Sequence, residues 1–223
     1  MNDFFKKRRP EIIIFFISLL LSMAVFYIRS AALPQNVDDE TKFFYTSDSR
    51  DYFNVMKNFI EHRSLSTFPF SLGLPPDGFR PPGYPMFLAL LHYINADVRF
   101  YVIIQNIISA FASVLVYLIG KKVFSKKAGF LAALLFVFES ERLHTSNAIM
   151  SDALASFLFF ISLAAFLHFY KNKKIIYLAA SGIFLGLSTL TRPATQAVVF
   201  IFICSLFWLI GKECARKKFI LPK

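Results

Sequence analysis

Charge is scarce in this chain. Only 17% of its 223 residues are Asp, Glu, Lys or Arg, against about 25% in an ordinary soluble domain. A surface that faces water on every side is therefore excluded. Cysteine is scarcer still: Cys204 lies in an apolar run and Cys214 in a basic stretch. Neither a disulfide framework nor ligand-like spacing follows from that pair. The four histidines (His62, His92, His144 and His168) are scattered, with no two at i, i+4, which argues against a histidine metal site. The formal charge of +11 raises nucleic acid as a partner. Its positive residues sit in short clusters between apolar runs, without a basic stripe or an RNA-binding motif, so no nucleic-acid role is expected.

What the chain has in excess is apolar surface. It is 56% hydrophobic and contains 29 phenylalanines, concentrated in runs too long for the core helices of a soluble protein. The expected class is an all-α integral membrane protein. Six candidate crossings are read at residues 12–28, 98–120, 128–138, 149–170, 175–190 and 194–210; 128–138 and 175–190 are short and borrow flanking polar residues. Lysine and arginine clusters precede the first crossing (Lys6, Lys7, Arg8, Arg9). They also follow the second (Lys121, Lys122, Lys126, Lys127), the fourth (Lys171, Lys173, Lys174) and the sixth (Lys212, Arg216, Lys217, Lys218). Placing every cluster in the cytoplasm lets all six crossings alternate without conflict, with both termini inside. Of 14 acidic residues only Asp3, Glu11 and Glu213 then remain cytoplasmic. The first apolar run also has a basic head and small residues at Ser30, Ala31 and Ala32, as a cleaved signal peptide would. Its length and Arg29 favour an uncleaved anchor.

On this reading, residues 29–97 form one long extracytoplasmic loop within a single membrane domain spanning 1–223. Tyr52, Val55, Met56, Phe59 and Ile60 recur at helical spacing, with Arg50, Asn54, Lys57, Asn58 and Glu61 on the other face. That pattern predicts an amphipathic helix lying at the membrane surface, capped by Ser47 or Asp48. A second apolar stretch, residues 84–94, is too short to span, and the "PPGYP" turn before it stops any helix from running through. That rigid turn delivers Arg80 to the outer surface beside Asp48 and Asp51. Such a meeting of acid and base suits a reaction between a water-soluble nucleophile and a lipid-borne phosphate.

The strings "SDSRDY", "FRPPGYPMFLALL", "GFLAALLFVF", "SDALASF" and "GLSTLTRP" occur in this order. Together they resemble the N-terminal half of membrane glycosyltransferases of the GT-C superfamily, in the protein O-mannosyltransferase-like and aminoarabinose transferase-like branch. The resemblance covers roughly residues 10–200. It implies a sugar donor linked to polyprenyl phosphate that enters from the bilayer, with a protein or glycolipid acceptor on the outer side of a cell membrane. It also implies an aspartate base in the first outer loop, which Asp48 matches; Ser49 stands where the family often has a second acid, and Asp51 is the fallback. Family members are usually much longer, so a partner subunit supplying the rest, a truncated paralogue and a fragment are all left open.

Each site residue has a plainer reading beside the functional one. Asp48 is either a helix cap or the general base. Arg80, with its planar fork, and Arg192, in "TRP" at a membrane boundary, are candidates for holding donor phosphate. Their rivals are lipid headgroup contact and structural pairing with an acid. Tyr84 joins them as a substrate-binding candidate. Asp152, one turn into the fourth crossing, is too short to reach far outward and is expected to face the bundle and position Arg192 or the acceptor. Glu139 and Glu141 read as a solvated outer loop. These acids together are able to hold a divalent metal against phosphate, though no spacing demands one. Gly182 and Gly186 form a GxxxG, read as helix packing. The competing functions are a lipid or sugar transporter, and a non-catalytic accessory subunit. Against the transporter, ionisable residues gather at one face rather than near the midplane.

Overall fold

Long apolar runs, broken by lysine clusters and by proline, fold as the helices that backbone satisfaction in lipid requires. The computed structural model describes residues 9–31, 44, 46–68 and 78–220, and their regular structure is helical. In chain order these are α1 (Arg9–Ala31), α2 (Ser47–His62), α3 (Gly83–Ile94), α4 (Val98–Val123), α5 (Lys126–Phe138), α6 (Ser140–Ser146), α7 (Asp152–Asn172), α8 (Ile175–Thr191) and α9 (Gln196–Ile220), with a 3-10 turn at Pro193–Thr195. The basic residues Lys6, Lys7 and Arg8, and the side chains of Lys212, Cys214, Arg216, Lys217 and Lys218, lie outside the described set.

Three of the six expected crossings have the length and composition to span a bilayer: α1, α4 and α7, of 23, 26 and 21 residues. At 1.5 Å per residue each covers the ~30 Å of hydrocarbon. With 13 and 17 residues, α5 and α8 are shorter, as is the apolar stretch Pro193–Trp208.

The chain sorts its charge between the two ends of the bundle. Lys121 on α4 donates to Glu11 on α1 at 3.2 Å, and Lys171 on α7 is near enough to repel Lys122. At the opposite end Arg29 of α1 donates to the carbonyl oxygen of Asn147 at 3.0 Å. Lysines therefore gather where α1 begins and α4 ends, while Asp48, Asp51, Glu139 and Asp152 belong to the other end.

Small polar residues make the helix contacts. Ser18 of α1 meets Ser113 of α4 at 2.9 Å; Ser162 and Ser188 tie α7 to α8 through Ser162 Oγ–Ser181 O at 2.8 Å and Ser188 Oγ–Ala155 O at 2.9 Å. The GxxxG expectation is corrected here. A Cβ built on Gly182 or Gly186 meets nothing within 4 Å, whereas one on Gly129 would fall 2.5 Å from Lys121 N and 2.6 Å from Tyr117 O. The close approach therefore lies in the α4–α5 hairpin, because serine hydroxyls already set the α7–α8 distance.

The surface-helix expectation also changes. α2 forms where the spacing places it, but Tyr52, Val55 and Met56 pack into a core with Tyr84, Leu88, Tyr101, Val102 and Ile149. Its apolar face is covered by α3 and α4 rather than by lipid. α3 buries Tyr84, Pro85, Leu88, Ala89 and Leu91 and leaves Met86, Leu90, Tyr93 and Ile94 exposed.

Candidate functional site

The start of α2 decides what Asp48 is free to do. The N-cap is Thr46, in extended conformation. Its N–H donates to Ser49 Oγ at 2.7 Å, and the two hydroxyls lie 3.0 Å apart. Thr46 and Ser49 thus take the capping work that sequence reasoning gave to Ser47 or Asp48, so Asp48 sits in the first turn of the helix with its carboxylate unclaimed by the backbone. Ser49 is fully buried and donates to Ile149 O at 2.8 Å, which anchors the turn to the segment before α7.

The Pro81–Pro82 turn brings Arg80 onto that first turn. Arg80 Nη2 donates to Asp48 Oδ1 at 2.8 Å and to Asp51 Oδ2 at 2.8 Å, and Nε donates to Asp51 Oδ2 at 3.1 Å. The guanidinium lies over the rings of Phe79, 4.9 Å from its centroid, and Tyr52, at 5.2 Å. Burial alone works against its charge, but the hydrogen bonds to Asp51 and Asp48 outweigh it and hold Arg80 above its ordinary value. Asp48, 40% exposed, makes this contact through one oxygen only. Among the described residues, Arg80 Nη1 has no hydrogen-bond partner.

Tyr84 backs the same turn. It is fully buried and donates to Gln105 Oε1, while Gln105 Nε2 donates to Ala148 O at 2.7 Å. Burial, with the nearby Tyr52, pushes its phenol well above the ordinary range and keeps it a donor. Gly83 opens α3 against the last turn of α8: a Cβ there would lie 2.7 Å from Leu190 O, so only glycine permits this approach. Arg192 follows directly as the residue that ends α8, and it pairs with Asp152 Oδ1. Tyr52 OH and Ser151 Oγ, 3.1 Å apart, join α2 to the start of α7. Asp48, Asp51 and Arg80 therefore form one cluster and Asp152 with Arg192 a second, bridged by Tyr52 and Ser151.

Sequence reasoning missed Arg142. Glu139 does not lie in a free loop; its carboxylate caps α6, accepting from the N–H groups of Glu141, at 2.9 Å, and Arg142. That turns Arg142 inward to a site only 6% exposed. Its Nη1 donates to Ser109 Oγ at 2.7 Å, to Ser18 Oγ at 3.3 Å and to Ser22 Oγ at 3.4 Å, and Nη2 donates to Val137 O at 2.7 Å. The available signal was spacing: Ser18 and Ser22 lie four apart on α1, as do Ser109 and Ser113 on α4, marking polar stripes in apolar helices. Arg142, Ser109, Phe136, Asp152 and Ser156 line a cleft of about 130 Å³. Among the described residues, no three His, Cys, Asp or Glu side chains come together as a metal site.

Residues 79–222 match the dolichyl-phosphate-mannose-protein mannosyltransferase family. No curated protein and no solved structure matches the chain. The matched stretch contains Arg80, Tyr84, Arg142, Asp152 and Arg192 and begins after Asp48 and Asp51. Because it covers well over half of the sequence and agrees with a bundle of apolar helices, the chain belongs to the dolichyl-phosphate-mannose-protein mannosyltransferase family of GT-C membrane glycosyltransferases.

Proposed function

We propose that this protein transfers a sugar from a polyprenyl-phosphate donor to a hydroxyl of a protein or glycolipid acceptor, at the extracytoplasmic face of a cell membrane. The observation that carries the reading is the Arg80 bridge. A guanidinium held between Asp48 and Asp51 on a turn fixed by two prolines supports it, because a carboxylate suited to act as base lies beside a cation suited to bind phosphate. Asp51 takes two of the three hydrogen bonds and acts as the positioning residue. Asp48 keeps its second oxygen for the acceptor, and Arg80 Nη1 is left for a phosphate oxygen.

The step runs as an inverting displacement. The acceptor hydroxyl gives its proton to Asp48 as its oxygen bonds to the anomeric carbon. The bond from that carbon to the phosphate oxygen breaks, and the electron pair leaves on polyprenyl phosphate. That group already carries negative charge, so it needs Arg80 rather than an acid. Arg192, aligned by Asp152, offers a second cation along the same edge, and Tyr84 supports the turn from behind. Membrane lipids surround the helices. Residues 29–97 face away from the cytosol and both termini face it, in keeping with the lysine-rich end of the bundle opposing the acidic one.

Membranes containing the protein, incubated with radiolabelled polyprenyl-phosphate sugars, test the reading. Wild type transfers label to acceptor, and Asp48→Asn loses it by a factor of about 10²–10⁴, the usual contribution of a general base. Equal transfer by the variant would remove Asp48 from the mechanism. Labelling of single cysteines at positions 48 and 80 by an impermeant thiol reagent in intact cells tests the orientation.

A further inference from the structure

Two residues that line the cleft beside the Asp152–Arg192 pair each carry a buried polar atom with no hydrogen-bond partner among the described residues. Arg142 Nε has no acceptor, and Asp152 Oδ2 has no donor. Native interiors rarely leave such groups alone, since each costs about 1–3 kcal/mol. They do not cancel each other, because Asp152 forms its ion pair with Arg192 and not with Arg142. The cleft therefore asks for an occupant that accepts at one point and donates at another.

Chemistry narrows the choice. An anion would satisfy Nε but leave Asp152 Oδ2 bare. It would also sit among the carboxylates of Glu139, Glu141 and Asp152, which all line the cleft. A cation would satisfy the carboxylate and meet the guanidinium. A neutral polyol does both, since every hydroxyl is at once donor and acceptor. The cleft's volume of about 130 Å³ is many times the ~10–15 Å³ that one water needs on the same measure, room for a small polar molecule rather than a lipid chain. The Phe136 ring on the wall offers an apolar face to carbon-bound hydrogens, as ligand pockets commonly do.

We infer that this cleft is a monosaccharide site, in which Arg142 Nε donates to one ring hydroxyl and Asp152 Oδ2 accepts from another. Its identification with the transferred sugar rests on the glycosyltransferase reading; the binding itself does not. Arg142 becomes a specificity-determining residue, held in place by the serines of α1 and α4.

The test uses the purified full chain in lipid nanodiscs. Saturation-transfer NMR follows free D-mannose, D-glucose and L-arabinose, and a parallel transfer assay follows the sugar-phosphate lipids. At least one sugar binds saturably. Arg142→Lys, which keeps the charge without Nε, and Asp152→Asn each weaken binding about tenfold or more. Ser156→Leu, one turn along α7 from Asp152, fills the cleft and removes binding while touching neither residue. Asp48→Asn binds sugar as wild type does.

Three results would overturn the inference: no saturable binding of any probe, equal binding by all variants, or displacement of sugar by inorganic phosphate. The first two leave a water-filled cleft, and the third makes it an anion site. If the cleft variants keep donor KM and sugar preference while Asp48→Asn abolishes transfer, the cleft is not the sugar site and the transferase reading stands. If sugar binding depends on Arg142 yet no donor is ever cleaved, the cleft stands and the transferase reading fails.

Discussion

Arg80 and Arg142 lie at the same end of the bundle and are held in opposite ways. Arg80 sits on a proline turn near water and is gripped by two carboxylates. Arg142 sits inside the bundle and is gripped by three hydroxyls and one carbonyl, with no carboxylate partner among the described residues. Near water, a second charge costs little desolvation, so an ion pair is an inexpensive clamp. Inside the bundle, a buried acid would carry its own desolvation cost of several kcal/mol. Neutral oxygens spread the charge without adding another ion. The difference teaches that partner type here follows wetness.

Four measurements press on this contrast. Arg80→Met removes the cation proposed to hold the donor phosphate and leaves Asp48 and Asp51 facing each other. Transfer should fall about 10²–10³-fold, the cost of losing one such donor, as read in the lipid-donor assay. Arg142→Met, by contrast, deletes the buried cation and leaves Val137 O and three serine hydroxyls without their donor. The expected result is a thermal midpoint in detergent below wild type, by about 1–3 kcal/mol; an unchanged midpoint would mean that the cost of burying the cation cancels its hydrogen bonds. Ser109→Ala deletes the shortest of these hydroxyl contacts and should cost about 0.5–1.5 kcal/mol in the same experiment. The smallest effect is that of salt. Raising ionic strength to 1 M shortens the screening length to about 3 Å, which should weaken donor binding through Arg80 and leave monosaccharide binding through Arg142 unchanged.

The sequence carried the long helices because a run of apolar residues between lysine clusters has few other folds open to it. It also carried the meeting of Arg80 with the start of α2, since prolines fix where the turn can point. The cap was misplaced for a local reason: Ser47, Asp48, Ser49 and Thr46 are all good caps, and only the backbone decides among them. The GxxxG failed differently. Gly182 and Gly186 permit a close neighbour, but permission does not supply one, and Gly129 received it from the adjoining hairpin. Arg142 was hidden by its neighbours. Between two glutamates and a histidine it reads as a solvated loop, and only Glu139 folding back onto the α6 amides turns it inward.

Ser49 donates a hydrogen bond to a carbonyl 100 residues further along the chain. The anchor of the first loop is therefore absent while that loop is being made. A ribosome adding about 5–20 residues per second takes roughly 5–20 s to reach Ile149. During that interval Asp48 and Asp51 belong to an unfinished bundle, and their cluster with Arg80 gains this anchor only after the segment before α7 has emerged.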